Sequence, residues 1–265
     1  MLMMEQRRIV TWVGTYGGES VEAIIDLFLG LERMAPGSLE TTAKAFQVAA
    51  QDYDIEKIVE FGCGSGVSTI ELARLSGAPI IGVDNCAPFL AQLKQKIAQA
   101  GLDQQIQVRE QSMEVAWRKG TCFDLIWCEG SAYAIGLENA LQRWRELLKP
   151  GGRIALSDLV WIDTDPDAEV QEYWQNQGVT LCYPNDTLAL FSSQGYQVVD
   201  YFIFPESDWQ NYYQPLRARL PRWKAEYSYP ENAGAIDQLF QEELRMYDQF
   251  KAQYGYAFFI AQRAP

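Results

Sequence analysis

Histidine is absent from this 265-residue sequence. Its absence excludes every mechanism that needs an imidazole, including Ser-His-Asp triads, Cys-His pairs, His-ligated zinc and HExxH proteases. A general base in this protein must therefore be a carboxylate, a tyrosine, a cysteine, a lysine or a water molecule.

Cysteine and long apolar runs are scarce, and each shortage excludes a class of protein. The five cysteines are odd in number and include no CxxC pair, which argues against a disulfide framework and a four-cysteine zinc site. We expect no metal site and a cytoplasmic, reducing location. The N-terminal MLMMEQRRIVTWVG is too short in apolar residues for a signal peptide, and no stretch approaches the roughly 18 apolar residues of a membrane span.

Positive charge is also in deficit, since 22 Lys and Arg residues face 35 Asp and Glu residues, for a formal net charge of −13. A phosphate backbone would be repelled by such a chain unless it met a strong local basic patch. We therefore expect neither nucleic acid nor a membrane as a partner. The oligomeric state is left open by the sequence.

Short apolar runs alternate with helical stripes along most of the chain. This alternation is typical of an α/β protein whose mainly parallel sheet is covered by helices on both faces. Seven strands are predicted, at 57–62, 79–84, 106–111, 123–130, 153–161, 196–204 and 254–263. The segment Lys149-Pro150-Gly151-Gly152 is expected to end the helix that precedes the fifth strand.

The remaining segments are predicted to build a helical cap on a single domain spanning 1–265. Residues 1–52 supply N-terminal helices, the second of which is capped by Ser38. Residues 53–161 form the core, and 162–195 and 207–254 are lid insertions between and beside the last strands.

A glycine turn follows the first predicted strand, in the order Glu60-Phe61-Gly62-Cys63-Gly64-Ser65-Gly66. Glycines at this point let the backbone approach a nucleotide closely at the carboxyl end of a strand. The spacing is GxGxG rather than the GxGxxG of dinucleotide-binding proteins, and no Gly-Lys-Ser/Thr of a P-loop is present. Glu60 would repel a pyrophosphate but suits an amine or a sulfonium.

Asp84 ends the second predicted strand. This is the place for a carboxylate that accepts hydrogen bonds from ribose hydroxyls. Either feature alone is weak, because a glycine turn is often only a turn and an acid at a strand end often only caps a helix. Together, on consecutive βα units, they predict an adenosine-type cofactor.

Several segments resemble the motifs of one known family, the class I S-adenosylmethionine-dependent methyltransferases. The family's motif I is similar to VEFGCGSG, its ribose-binding motif to IGVD, and its adenine-contacting segment to REQSMEVAW. Its strand-four motif and the turn before strand five are similar to FDLIWCEG and LKPGGRIALSD. The resemblance covers about 57–161 and returns in the final strand, and it implies a Rossmann-like, seven-stranded fold. A finer resemblance, to an uncharacterised bacterial branch near the ubiquinone/menaquinone-type methyltransferases, is carried by RMAPGSLETT, IWCEGSAYAIG and YGYAFFIAQR.

The resemblance implies S-adenosyl-L-methionine as the cofactor and S-adenosyl-L-homocysteine as its product. Gly62, Gly64 and Gly66 would wrap the methionine portion, and Glu60 would hold its amino group through the turn. Asp84 would accept the ribose hydroxyls.

The same resemblance places Ser112 and Met113 along the adenine, with the Met113 backbone N–H as the contact. The family often has aspartate where this chain has Ser112, so the exocyclic amine would rely on backbone. Glu129 would face the departing methyl group. The implied cofactor-binding set is completed by the neighbouring positions Phe61, Cys63 and Asn85.

Three residues near the carboxyl ends of strands four and five are candidate catalytic groups: Glu129, Tyr133 and Asp158. Each also has a structural interpretation, because a tyrosine can pack under a loop and an aspartate can cap backbone. The Asn-Pro-Pro-Tyr signature of amino-methyltransferases is absent, which agrees with the charge in disfavouring nucleic-acid bases. The lack of histidine favours nitrogen or another nucleophile that needs little help from a base.

The lid segments are rich in aromatic residues, which predict either ordinary core packing or an apolar or cation-binding pocket. They are Trp161, Trp174, Tyr183, Trp209, Tyr212 and Tyr213. The expected function is methyl transfer from S-adenosylmethionine to a small molecule. The alternatives are a nicotinamide-dependent oxidoreductase and a non-catalytic cofactor-binding sensor or scaffold.

Overall fold

A seven-stranded sheet lies at the centre of the computed structural model, which describes residues 18–115, 117 and 120–264. The N-terminal segment used for the signal-peptide prediction lies outside these residues. The strands, in chain order, are β1 Ile58–Phe61, β2 Ile80–Asp84, β3 Ile106–Glu110, β4 Phe123–Glu129, β5 Leu148–Trp161, β6 Tyr196–Ile203 and β7 Tyr254–Arg263.

The sheet has the strand order β3-β2-β1-β4-β5-β7-β6. Strands β1 to β5 pair in parallel, whereas β7 is antiparallel to both β5 and β6. The predicted α/β class and mostly parallel seven-stranded sheet are therefore confirmed. From β1 the chain adds β2 and β3 on one side of the sheet and then β4 and β5 on the other. This change of side leaves a crevice for a ligand at the carboxyl ends of β1, β2 and β4.

Helices connect the strands and cover both faces of the sheet. They are α1 Gly18–Leu29, α2 Leu39–Ala50, α3 Val67–Ser76, α4 Ala87–Ala100, α5 Leu137–Arg145, α6 Ala168–Asn176, α7 Pro184–Ser193, α8 Glu206–Glu226 and α9 Pro230–Phe250. Helix α2 begins where the sequence predicts, since the Ser38 hydroxyl accepts a hydrogen bond from the Thr41 N–H at 3.0 Å. Among the residues that the structure describes, no helix combines the length and apolar character of a bilayer span.

The core divides into two clusters, one on each face of the sheet. Because successive side chains of a strand point to opposite faces of the sheet, neighbouring residues belong to different clusters. Ile58 belongs to the cluster under α2, α3 and α4, while Val59 and Phe61 belong to the cluster under α5 and α7. The buried apolar residues on one face of α9, its apolar stripe, belong to the first cluster; they are Ile236, Leu239, Phe240, Leu244, Tyr247 and Phe250. Helices α8 and α9 therefore extend the face that carries α3 and α4.

Strand β5 differs from its prediction by starting earlier, at Leu148. The Lys149–Gly152 segment, expected to be a helix stop, belongs to the strand, with a register shift opposite Phe123 and Leu125. Gly152 makes this pairing possible, because a Cβ there would stand 2.9 Å from the Lys149 carbonyl oxygen and 3.1 Å from that of Phe123. The glycines thus shape an irregular strand start, whereas α5 has already ended at Arg145, so the predicted helix stop at this segment is wrong.

Candidate functional site

A cavity of about 300 Å³ opens at the carboxyl ends of β1, β2 and β4. Its floor is the glycine turn after β1, and its sides are the β2 and β4 ends and the segment 32–36. Residues of α8 and α9 line it on the opposite side, which we call the lid, so that one continuous space runs from the glycine turn to the lid. Such a mainly apolar cleft at this edge of an α/β sheet is the usual place for a small ligand.

The glycine turn has a backbone that side chains would block. Gly62 and Gly66 have φ angles of +71° and +84°. A Cβ on Gly62 would lie 2.4 Å from the Ser131 side chain, and one on Gly66 would lie 2.1 Å from Leu93. Glycine at both positions is therefore required by conformation and by packing, and it leaves the turn's backbone exposed to the cavity.

Asp84 lines the cavity and is held by backbone donors. Its carboxylate accepts hydrogen bonds from the Gly64 N–H and the Cys86 N–H, each at 2.9 Å. Burial raises the pKa of Asp84, and the backbone N–H groups of Cys86, Gly64 and Asn85 oppose that rise. The residue thus links the glycine turn to the start of α4. Each oxygen keeps a further lone pair for a ligand hydroxyl.

Glu60 lies beneath the glycine turn rather than on the cavity wall. Its side chain is 1% exposed, accepts a hydrogen bond from the Ser68 hydroxyl, and keeps Oε2 without a partner among the described residues. Burial raises the pKa of Glu60 to about 8, against the effect of the Ser68 hydroxyl. We therefore expect Glu60 to act on a ligand only through the backbone of the glycine turn, as the sequence predicts.

Glu129 joins β4 to the N-terminal segment. Its Oε1 accepts hydrogen bonds from the Thr42 hydroxyl at 2.8 Å and the Trp127 indole at 3.0 Å, and its Oε2 lies 3.8 Å from an Arg33 nitrogen. Burial raises the pKa of Glu129, which the Arg33 charge and the two hydrogen bonds counteract. Arg33 itself is largely buried on the cavity wall, with Nη2 unpartnered.

Four further predicted cofactor residues occupy different places. Cys63, Asn85 and Met113 line the cavity. The Met113 Cε lies 3.8 Å from the position of a Cβ on Gly62, so this side chain covers the glycine turn. Ser112 is not on the wall: its hydroxyl accepts a hydrogen bond from the Glu114 N–H at 3.2 Å and shapes the local turn.

Phe61 and Asp158 point away from the cavity. Phe61 is fully buried on the opposite face of the sheet and stacks on Trp144 with ring centroids 4.6 Å apart. In β5, the Leu159 side chain lines the cavity. Because successive side chains of a strand point to opposite faces, Asp158 lies on the other face of the sheet. The Asp158 carboxylate accepts a hydrogen bond from the Leu159 N–H at 2.9 Å. The sequence pattern predicts that both residues lie near the site. It does not predict the direction in which their side chains point.

Tyr133 lines the cavity in the short 3₁₀ turn Ala132–Ala134 after β4. Burial and the nearby Asp158 charge raise the pKa of Tyr133 to about 12. At neutral pH its hydroxyl is therefore a hydrogen-bond donor rather than a base.

The lid end of the cavity is aromatic. Four of the six predicted lid aromatics line it, whereas Trp161 and Tyr183 do not; the four are Trp174, Trp209, Tyr212 and Tyr213. Phe28, Phe240 and Tyr256 complete the wall, which also holds one carboxylate, Glu243 of α9.

Sequence reasoning missed Glu243, Arg33 and Thr42. The signal for Glu243 is its spacing, since it falls on the α9 apolar stripe between Phe240 and Tyr247, where a charged residue is out of place. Arg33 and Thr42 lie in RMAPGSLETT, but nothing in that segment alone shows that its side chains meet Glu129. No group of three or more His, Cys, Asp or Glu side chains within the described part of the chain is arranged to hold a metal ion.

Comparison with known proteins identifies the core. Residues 58–152 match the family model described as "Methyltransferase domain". This part of the chain is therefore similar to a methyltransferase domain. The match contains the glycine turn, Asp84 and Glu129, which are the polar groups at the floor of the cavity.

Similar proteins extend the likeness over most of the chain. A SAM-dependent methyltransferase from Geobacter sulfurreducens, solved with S-adenosyl-L-homocysteine, has a TM-score of 0.77 at 18% identity, covering 91% of this chain and 97% of that chain. YjhP of Escherichia coli is 24% identical over 174 residues, which cover 63% of this chain and 68% of YjhP. The YjhP crystal structure has a TM-score of 0.77 at 18% identity, covering 92% of this chain and all of YjhP. The methyltransferase phqN of Penicillium fellutanum is 30% identical over 113 residues, covering 42% of this chain and about a third (35%) of phqN.

The residues at the floor of the cavity fit S-adenosylmethionine as a ligand. The glycine backbone is open to the cavity, Asp84 retains acceptor capacity, and the buried Arg33 has an unpartnered nitrogen on the same wall. A carboxylate and a guanidinium at one end of a cleft match a ligand with ribose hydroxyls and an amino-acid carboxylate.

Proposed function

We propose that this protein transfers a methyl group from S-adenosylmethionine to a small-molecule acceptor held beneath the lid. One observation supports this most: a single cavity connects the glycine turn and Asp84 with the aromatic wall of α8 and α9. A donor on the floor and an acceptor under the lid then share one continuous space.

The donor end is proposed to work by positioning. Asp84 accepts the ribose hydroxyls, Arg33 binds the carboxylate of the methionine portion, and Met113 packs against the adenine. S-adenosylmethionine supplies an electrophilic methyl group on a sulfonium, whose sulfur keeps the bonding electron pair. Holding two reactants in line contributes roughly 7–11 kcal/mol in favourable cases, so positioning can supply much of the catalysis.

Glu129 and Tyr133 are proposed to border the reacting centre. Glu129 fixes the N-terminal segment over the donor through Arg33 and Thr42. Tyr133 donates a hydrogen bond to the acceptor, because its raised pKa keeps the proton in place at neutral pH. Asp158 has no part in this proposal, since its side chain is on the other face of β5.

Several finer expectations stay predictions. They are a single domain over 1–265, a cytoplasmic location, the absence of nucleic-acid and membrane partners, and the link to the ubiquinone/menaquinone-type branch. None of them affects the chemistry proposed for the cavity.

Titration calorimetry with S-adenosylmethionine and with NADH tests the proposal. We expect S-adenosylmethionine to bind and NADH not to bind. Binding of NADH alone would favour the oxidoreductase. A mass-spectrometric screen of small metabolites then tests transfer, because a methyl-sized mass gain separates an enzyme from a scaffold that only binds the cofactor. A Glu60→Ala variant should bind S-adenosylmethionine more weakly, and unchanged affinity would show that the turn is not the donor site.

A further inference from the structure

Glu243 is a buried carboxylate on the lid end of the cavity. Its residue is 4% exposed, and its Oε1 accepts a hydrogen bond from the Tyr213 hydroxyl at 3.0 Å. Its Oε2 has no partner among the residues that the structure describes. Within the same residues, no lysine or arginine comes within ion-pair distance of it.

The neighbouring glutamate shows that this situation is particular to the cavity side of α9. Glu242 is half-exposed and pairs with Arg245 at 2.7 Å on the outer surface. Glu243 is instead surrounded by tyrosines of four other segments: Tyr133, Tyr173, Tyr212, Tyr213, Tyr254 and Tyr256. Removing a carboxylate from water is costly unless it is protonated or paired with a cation. Burial accordingly raises the pKa of Glu243 to about 8.

Aromatic rings surround the space in front of this carboxylate. The Tyr213 ring centroid lies 4.9 Å from that of Tyr212 and 5.8 Å from that of Trp209. The Trp209 centroid lies 5.5 Å from that of Tyr256. Phe28 stacks on Tyr212 at 6.4 Å. All of these rings line the cavity, together with Trp174, whose buried indole nitrogen is also unpartnered. Electron-rich ring faces attract organic cations.

We infer that the acceptor is an amine, bound as its ammonium form under the lid with the nitrogen against Glu243. This inference rests on the proposed methyl transfer. A carboxylate without a counter-charge, walled by aromatic rings, is complementary to an alkylammonium group and gives a neutral alcohol no comparable gain.

Glu243 would also prepare the nitrogen for reaction. The ammonium proton passes to the Glu243 carboxylate, which leaves a lone pair on the nitrogen. That lone pair forms the new N–C bond while the S–C bond breaks and its electron pair stays on sulfur. The products are the methylated ammonium, S-adenosylhomocysteine and protonated Glu243, which afterwards releases its proton to solvent. An amine is the nucleophile for which this one exchange suffices.

Choline and its uncharged carbon isostere, 3,3-dimethylbutan-1-ol, are the probes for the test. Their binding is measured by calorimetry in saturating S-adenosylhomocysteine, which keeps both probes out of the donor end, and again without it. We expect the wild-type protein to bind choline at least about tenfold more tightly than the alcohol, as cation–π contacts with a paired charge allow. Equal affinities would overturn the inference.

Two glutamine variants locate the effect. Glu243→Gln should reduce the preference for choline to about twofold or less, and Glu242→Gln, with the same change in net charge, should retain it. A preference that survives Glu243→Gln contradicts the inference. If Glu243→Gln fails to fold, Glu243→Asp takes its place and should retain the preference, because it keeps the carboxylate; loss of the preference in folded Glu243→Asp would contradict the inference.

The two proposals fail differently. Normal S-adenosylhomocysteine binding without a choline preference refutes the amine site and leaves methyl transfer intact. Absent S-adenosylhomocysteine binding refutes the donor site, while the titration without it still tests the choline preference.

Discussion

The two ends of the cavity hold their carboxylates in different ways. At the donor end, Asp84 is bound by two backbone N–H groups and Glu129 by Thr42, Trp127 and Arg33. At the lid end, Glu243 has one tyrosine hydroxyl and a wall of rings. The carboxylates of Asp84 and Glu129 therefore have protein partners on both oxygens, whereas Glu243 Oε2 has none among the described residues.

This difference reflects the elements that build each end. Donor-end groups sit at strand ends and in the turns that follow them, where backbone N–H groups are free to bind an anion. Lid-end groups sit on the inward faces of α6, α8 and α9, whose backbone groups are already used within the helices. A carboxylate on such a face can be satisfied only by side chains or by a bound cation.

The largest expected effect is a change in stability on replacing the glutamate at each end. Since burial raises the pKa of Glu243 to about 8, from about 4.3 when unfolded, the folded state holds its proton more tightly and loses stability as pH rises between these values. Glu243→Gln, neutral at all pH values, should match the wild type near pH 5. It should exceed wild-type stability above pH 8, by on the order of 5 kcal/mol at most.

Glu129→Gln should act in the opposite direction, because it leaves the buried Arg33 without its counter-charge and so lowers stability by about 3 kcal/mol at pH 8. Chemical denaturation across pH measures both variants, with the exposed Glu40→Gln as control. If the two variants shift stability in the same direction, the contrast between the two ends is wrong.

The next effect concerns affinity for the donor. Asp84→Ala removes the acceptor of two backbone hydrogen bonds and the proposed acceptor of the ribose hydroxyls. Hydrogen bonds to a charged group contribute about 1.5–3 kcal/mol each, so we expect S-adenosylmethionine to bind about 100-fold more weakly. Calorimetry measures this, with the exposed Asp103→Ala as a matched control.

Glu243→Gln should leave the same affinity unchanged, because it lies at the other end of the cavity. A loss of S-adenosylmethionine affinity in Glu243→Gln would mean that the two ends are not separate sites.

The contrast also explains what the sequence could predict. Gly62, Asp84 and Glu129 were predicted because they occupy fixed places after strands, and strands are recognised by short apolar runs with glycine or acid at their ends. All seven strands followed from the same periodicity. Strand direction alone did not reveal that Phe61 and Asp158 face away, because a one-residue offset moves a side chain to the other face.

The residues that line the lid end could not be predicted from strand periodicity. Its aromatic residues come from helices far apart in sequence, and only their packing decides that Trp174 and Tyr213 line a cavity while Trp161 and Tyr183 do not. The partner of Glu129 was hidden for the same reason, since Arg33 is nearly a hundred positions away. Charge on an apolar stripe, as at Glu243, is the one local signal that such a site leaves in the sequence.

The smallest expected effect tests how fully the donor end is satisfied. Thr42→Val keeps the shape of the side chain but removes the hydroxyl that lies 2.8 Å from Glu129 Oε1. The carboxylate retains the Trp127 indole and Arg33, so the loss should be that of a single hydrogen bond, about 1 kcal/mol in the free energy of unfolding. Urea denaturation measures it, with the exposed Thr180→Val as control. Because Glu129 keeps two partners, S-adenosylmethionine affinity should change by less than threefold, a minor fraction of the Asp84→Ala effect. A loss as large as that of Asp84→Ala would show that Glu129 depends on this one hydroxyl, as Glu243 depends on Tyr213, and the two ends would then be built alike.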